Sequence, residues 1–167
     1  MNRPHISVFL VLLLFACQEV ETFSEFTGNE ATYDLQPGST YDVSGAATFK
    51  EKKDGTTLIQ IQLQGTDGDV KLPVHLHYGD LSTADAEIAA MLNPVIGNTG
   101  KSETILSQLA DESPISYPEL LALEASIKVH LSDVGPERNI ILAAGNVGAA
   151  FSGSLNGRIA VGVCKSE

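Results

Sequence analysis

Thr57-Leu58-Ile59-Gln60-Ile61-Gln62-Leu63-Gln64 is the stretch that decides the fold. Ile59, Ile61 and Leu63 alternate with three glutamines, and successive side chains of a strand point to opposite faces. The run therefore reads as a strand with one buried face and one wet face. Just upstream, Lys52-Lys53-Asp54-Gly55 ends in Asp-Gly, a pair that tolerates the positive φ of a tight hairpin turn. Tyr41 to Phe49 then becomes the partner strand, with Gly45 read as a bulge. Downstream, Gly65 to Asp69 turns the chain into Leu72-Pro73-Val74-His75-Leu76-His77, which ends at Tyr78-Gly79-Asp80.

Further along, Ser82 to Leu92 predicts a short helix capped by Ser82, with Ile88, Met91 and Leu92 as its apolar stripe. An extended reading of this piece is the alternative. Asn93 to Gly100, with Pro94 and three loop-forming residues, predicts a loop. Ser116-Tyr117-Pro118-Glu119 has the spacing of a capping box opening a short helix through Leu123. A strand around Ile127 to Ser132 follows, then a turn at Gly135-Pro136, an apolar run Ile140 to Ala143, and the glycine-rich Gly145-Asn146-Val147-Gly148. Arg158 to Cys164 reads as a closing strand. Short strands with turn signals and only one or two short helices predict an all-β domain over residues 40–167. The expected architecture is an antiparallel Greek-key β-sandwich or flattened barrel.

The chain's beginning reads as a targeting segment. Arg3 and His5 precede an apolar run from Ile6 to Phe15, too short to span a bilayer but suited to secretion. Leu14-Phe15-Ala16-Cys17 resembles the lipobox of bacterial lipoproteins. That resemblance implies a signal peptide over 1–16 and a mature chain that starts at an acylated Cys17. The partner it implies is the membrane, reached through the lipid, and the location is the bacterial cell envelope. Residues 17–39 are acidic and polar without a sustained period, and read as a tether. The formal net charge of −11 becomes more negative by one without Arg3, which excludes a nucleic-acid partner, whose phosphates need a basic face. With Cys17 acylated, Cys164 has no second cysteine to pair with, so the fold must hold without a disulfide.

Three histidines remain outside the leader: His75, His77 and His130. Residues i and i+2 of a strand share a face at roughly 6–7 Å, so His75 and His77 can grip one small cation. Leu72, Val74 and Leu76 take the face opposite them. Around His130, Ile127, Val129 and Leu131 take one face and His130 the other. If those apolar rows form the core, all three histidines face outward, where a metal or substrate can reach them. Three imidazoles without carboxylate or thiolate suit copper better than zinc. The alternative is a set of histidines that hydrogen-bond one another and the nearby loops. Glu119 and Asp133 read as a cap and a turn residue rather than as acid–base catalysts.

The order of these motifs resembles the copper/zinc superoxide dismutase superfamily, which includes the chordin-type domains. His75-Leu76-His77-Tyr78-Gly79-Asp80 is similar to its His-Val-His segment. Lys128-Val129-His130 is similar to the strand that supplies a later copper histidine. Gly145-Asn146-Val147-Gly148 resembles its Gly-Asn-Ala-Gly, and Arg158 to Val163 its final strand, where an arginine lies beside copper. The resemblance implies copper held by His75, His77 and His130, with Arg158 as the catalytic arginine, whereas the residue by itself reads as a surface arginine opening a strand. It departs from the dismutases between Tyr78 and Val129, which contains no histidine. The bridging imidazole and the zinc site are therefore missing. Three classes stay open: a copper-binding lipoprotein, a weak copper-only dismutase, and a chordin-like interaction module without metal function.

Overall fold

The computed structural model describes residues 24–83 and 85–152. Eight antiparallel strands form a closed barrel: β1 (Phe26–Pro37), β2 (Ser44–Lys52), β3 (Thr57–Gln64), β4 (Lys71–Tyr78), β5 (Ile88–Ile96), β6 (Lys101–Leu106), β7 (Glu124–His130) and β8 (Ile141–Gly148). Around the barrel the order is β1-β2-β3-β6-β5-β4-β7-β8. The connections β3→β4 and β6→β7 therefore cross over rather than joining neighbours, in the Greek-key manner. A short helix α1 (Tyr117–Ala122), a 3-10 turn at Pro136–Asn139 and a four-residue helix α2 (Ala149–Ser152) complete the described chain.

β3 behaves as its period demands. Ile59, Ile61 and Leu63 are buried while Gln62 and Gln64 are exposed. Its hairpin with β2 runs in unbroken register from Ser44↔Gln64 to Glu51↔Thr57, closed by a turn in which Gly55 has φ 88°. Gly45 therefore marks no bulge. It lies so close to β3 that a Cβ would sit 2.0 Å from the Gln62 carbonyl oxygen, and only glycine permits that approach. The inner rows of the other strands fill the barrel: Tyr33, Leu35, Ala47, Phe49, Leu72, Val74, Leu76, Val95, Ile127, Val129 and Val147 all belong to one buried cluster. Helix α1 begins as its motif predicts, with the Glu119 carboxylate accepting from both the Ser116 N–H and its hydroxyl.

Three expectations are corrected. The segment read as an acidic tether over 17–39 contains β1, which pairs with β2 and, at Gln36 and Pro37, with β8. Its apolar signal is confined to Tyr33 and Leu35, and a register break between Phe26 and Glu30 interrupts the alternation. Where a helix is predicted over Ser82 to Leu92, the residues from Ile88 onward are strand β5, so the extended alternative holds. Ala89, Ala90 and Leu92 are buried, whereas Ile88 and Met91 of the supposed stripe are exposed. Register shifts in the β4–β5 pair disrupt the period of 2 and imitate a helical stripe. The predicted loop over Asn93 to Gly100 shrinks to the Gly97–Gly100 turn, because β5 continues to Ile96 with Pro94 at one of those irregular positions.

The glycine-rich Gly145–Gly148 is also strand, the second half of β8, which pairs with both β7 and β1 and closes the barrel. Gly145 packs against β1, where a Cβ would meet the Asp34 carbonyl oxygen at 2.2 Å. The closing strand expected at Arg158 to Cys164, the leader and Cys17 lie outside the described residues.

Candidate metal centre

β4 and β7 are neighbours in the barrel wall, in register from Val74↔Val129 to Tyr78↔Ala125. Their inward residues, Val74 and Leu76 against Ala125, Ile127 and Val129, are core. Strand alternation therefore turns His75 and His77 of β4, and Ser126, Lys128 and His130 of β7, onto the outer face. There the three imidazoles come together. Ring centroids lie 4.8 Å apart for His75–His130, 5.7 Å for His75–His77 and 6.4 Å for His77–His130. One nitrogen from each ring can be chosen so that all three lie within 4.8 Å of one another. A metal about 2 Å from each nitrogen needs them roughly 3.3–4 Å apart. Side-chain rotation of order 1 Å closes that difference.

The prediction of outward, accessible histidines holds for the side of the wall and fails for access. His75 is half-buried, but His77 and His130 are enclosed, at 1% and 3% exposure. Loops after β4 and β7 fold over the wall. The Nδ1–H of His77 donates to the Ala86 carbonyl at 2.9 Å, and the Nδ1–H of His130 donates to the Arg138 carbonyl at 2.8 Å. A carbonyl can only accept, so each bond fixes the proton on Nδ1 and makes Nε2 the lone-pair nitrogen of the ring. The Nε2 of His130 is buried with no hydrogen-bond partner. An orphaned buried acceptor is a cost in an apolar wall and the natural state of a metal ligand. The loop after β4 is also pinned by the Leu81 N–H, which donates to Asn146 Oδ1 at 2.8 Å, while the Leu81 side chain packs on Ile141 and Ala144.

Electrostatics keep these rings neutral. Burial pushes His75 and His77 down to about 4, with the neighbouring imidazoles adding to the effect. Burial likewise lowers His130, and the Lys128 ammonium beneath the cluster opposes protonation of both His77 and His130. The Ala86 and Arg138 carbonyls pull the other way and do not prevail. Neutral imidazole is the ligand form. Lys128, which is completely buried, and Asn146 entered the sequence reading only as motif neighbours, and Ser126 was not singled out at all. Period 2 places Ser126 and Lys128 on the face of His130, but it does not reveal that loops cover that face.

The three histidines are thus assembled as the sequence predicts, in an all-β barrel with a site that can hold a metal. Arg158, which the resemblance would make the catalytic arginine, falls outside the described residues. No protein-family model, curated protein or solved structure matches the chain.

Proposed function

We propose that this chain is a lipid-anchored bacterial cell-envelope barrel whose function is to bind copper through His75, His77 and His130. One observation carries the reading: imidazoles on two adjacent strands converge, with His77 and His130 oriented through Nδ1 and the His130 Nε2 left without a protein partner. The three histidines offer nitrogen donors, which suit copper. Copper, when bound, would supply one-electron chemistry. The chain's own residues do the rest: the Ala86 and Arg138 carbonyls hold the rings in place, and burial keeps them unprotonated. The closed Greek-key barrel, with its His-x-His strand beside its Val-His strand, supports the kinship with the superoxide dismutase-like superfamily. Binding or storage fits the site better than dismutation, because two of the three rings are closed off from solvent and the chain's acidity opposes the approach of an anion.

Metal analysis of the purified full chain, with and without added copper, tests this reading. One equivalent of copper in the wild type, lost in both His75→Ala/His77→Ala and His130→Ala, is the expected result. Folded wild-type protein that takes up no copper would overturn it and favour an interaction module on the same barrel.

A further inference from the structure

His75 is the most exposed of the three histidines and therefore stands at the mouth of the cluster. Directly across the β4–β5 pair its partner in register is Met91. Side chains directly opposite in an antiparallel pair share a face, with Cβ atoms about 4.5–5.5 Å apart. Met91 is 64% exposed, while the buried members of β5 are Ala89, Ala90, Leu92 and Val95. The core makes no use of this side chain. It is also the sole methionine besides Met1. Its unbranched, flexible thioether can swing over the rim toward His75. Exposure thus falls along one line, from Met91 through half-buried His75 to enclosed His77 and His130.

From this placement we propose that Met91 is a fourth, soft ligand at the rim of the histidine cluster, and that the ion the site takes is Cu(I). The proposal rests on the three-histidine reading and specifies the oxidation state of the ion. A thioether discriminates strongly for Cu(I) over zinc and other harder divalent ions.

The test is anaerobic Cu(I) titration of the full chain against a chromophoric Cu(I) chelator, with Zn(II) titrated in parallel. Copper-edge X-ray absorption then reads the ligand shell. Cys17 and Cys164 are replaced by serine throughout, so that any sulfur scattering comes from a thioether. Met91→Leu keeps the size of the side chain at an exposed position and leaves the core untouched. The expected result is a fall in Cu(I) affinity of at least about tenfold in Met91→Leu, with Zn(II) affinity unchanged. A copper–sulfur shell should be present in the parent protein and absent from Met91→Leu. Equal Cu(I) affinity in the two proteins, or a parent spectrum with nitrogen neighbours alone, would overturn the role of Met91 while leaving the histidine site standing. Preference for Zn(II) over Cu(I) would overturn the choice of ion. Failure of the parent and of His130→Ala alike to hold either ion would remove the histidine site itself.

Discussion

Acidifying the metal-free protein should weaken it between pH 6.5 and about 4. Burial holds His75 and His77 at about 4 against an ordinary value of 6.5, and lowers His130 as well. A histidine whose pKa is depressed by folding takes its proton first in the unfolded chain. Stability is then complete above about pH 6.5, declines as the pH falls, and reaches its floor below about 4. Each pKa unit is worth about 1.4 kcal/mol, so the enclosed His77 alone accounts for a loss of about 3 kcal/mol over the window. Half-buried His75 adds a smaller share, because water screens it. A domain of this size is stable by about 5–15 kcal/mol, so the loss is a large fraction of the total. The carboxylates whose pKa values are lowered by hydrogen bonds, Asp54 from Thr56, Asp80 from Ser82, Asp111 from Ser113 and Glu119 from Ser116, contribute only at the bottom of this range and beneath it. Urea denaturation of the metal-free full chain at several pH values between about 7.5 and 5 would measure the slope. His77→Asn, whose amide can still donate to the Ala86 carbonyl but does not titrate, should flatten it. A stability that is level across this window, or an identical slope in His77→Asn, would refute the reasoning.

The barrel and the anchor give further expectations. Ile61→Ala removes a buried side chain from the centre of β3 and should cost about 2–5 kcal/mol in denaturant unfolding. Gly45→Ala drives a methyl group to 2.0 Å from a backbone oxygen of β3. It should destabilise by at least about 1–3 kcal/mol, seen as a lower melting temperature with β-sheet circular dichroism retained. Glu119→Ala removes the acceptor that the Ser116 N–H and hydroxyl share, and should cost about 1 kcal/mol. In a bacterial host, Cys17→Ser should move the protein from the detergent phase to the aqueous phase, and mass spectrometry of the wild type should find an acylated Cys17.

How much of this was legible in the sequence depended on how cleanly each strand alternates. β3 alternates over its whole length and is half-exposed, so Ile59, Ile61 and Leu63 could be read directly. β1 could not, because only Tyr33 and Leu35 on it are buried hydrophobics and a register break separates its two halves. β5 failed for the opposite reason: adjacent buried alanines and shifted pairing gave it the look of a helix. The histidine triad was legible because two of its members are bound by one strand's period and the third lies on a strand with equally clear alternation. What local pattern could not supply was the neighbour relation between β4 and β7, which Greek-key connectivity alone decides, and the enclosure of the triad by loops. Met91 became meaningful only through cross-strand register, a relation between segments that no single segment records.

The pairing of β4 with β7 makes the centre a gauge of chain topology. Before that pair forms, only His75 and His77 of the triad lie close together, and His130 waits some fifty residues away. An extended polypeptide therefore holds two members of the triad together and not the third. Full coordination becomes available only once the crossover after β6 has delivered β7 to its place in the wall. Copper would therefore act on finished barrels by mass action, raising their resistance to unfolding without templating their assembly. Metal scarcity would leave the protein folded but acid-sensitive, so the same wall that gathers the ion would also set the conditions under which the unloaded protein is lost.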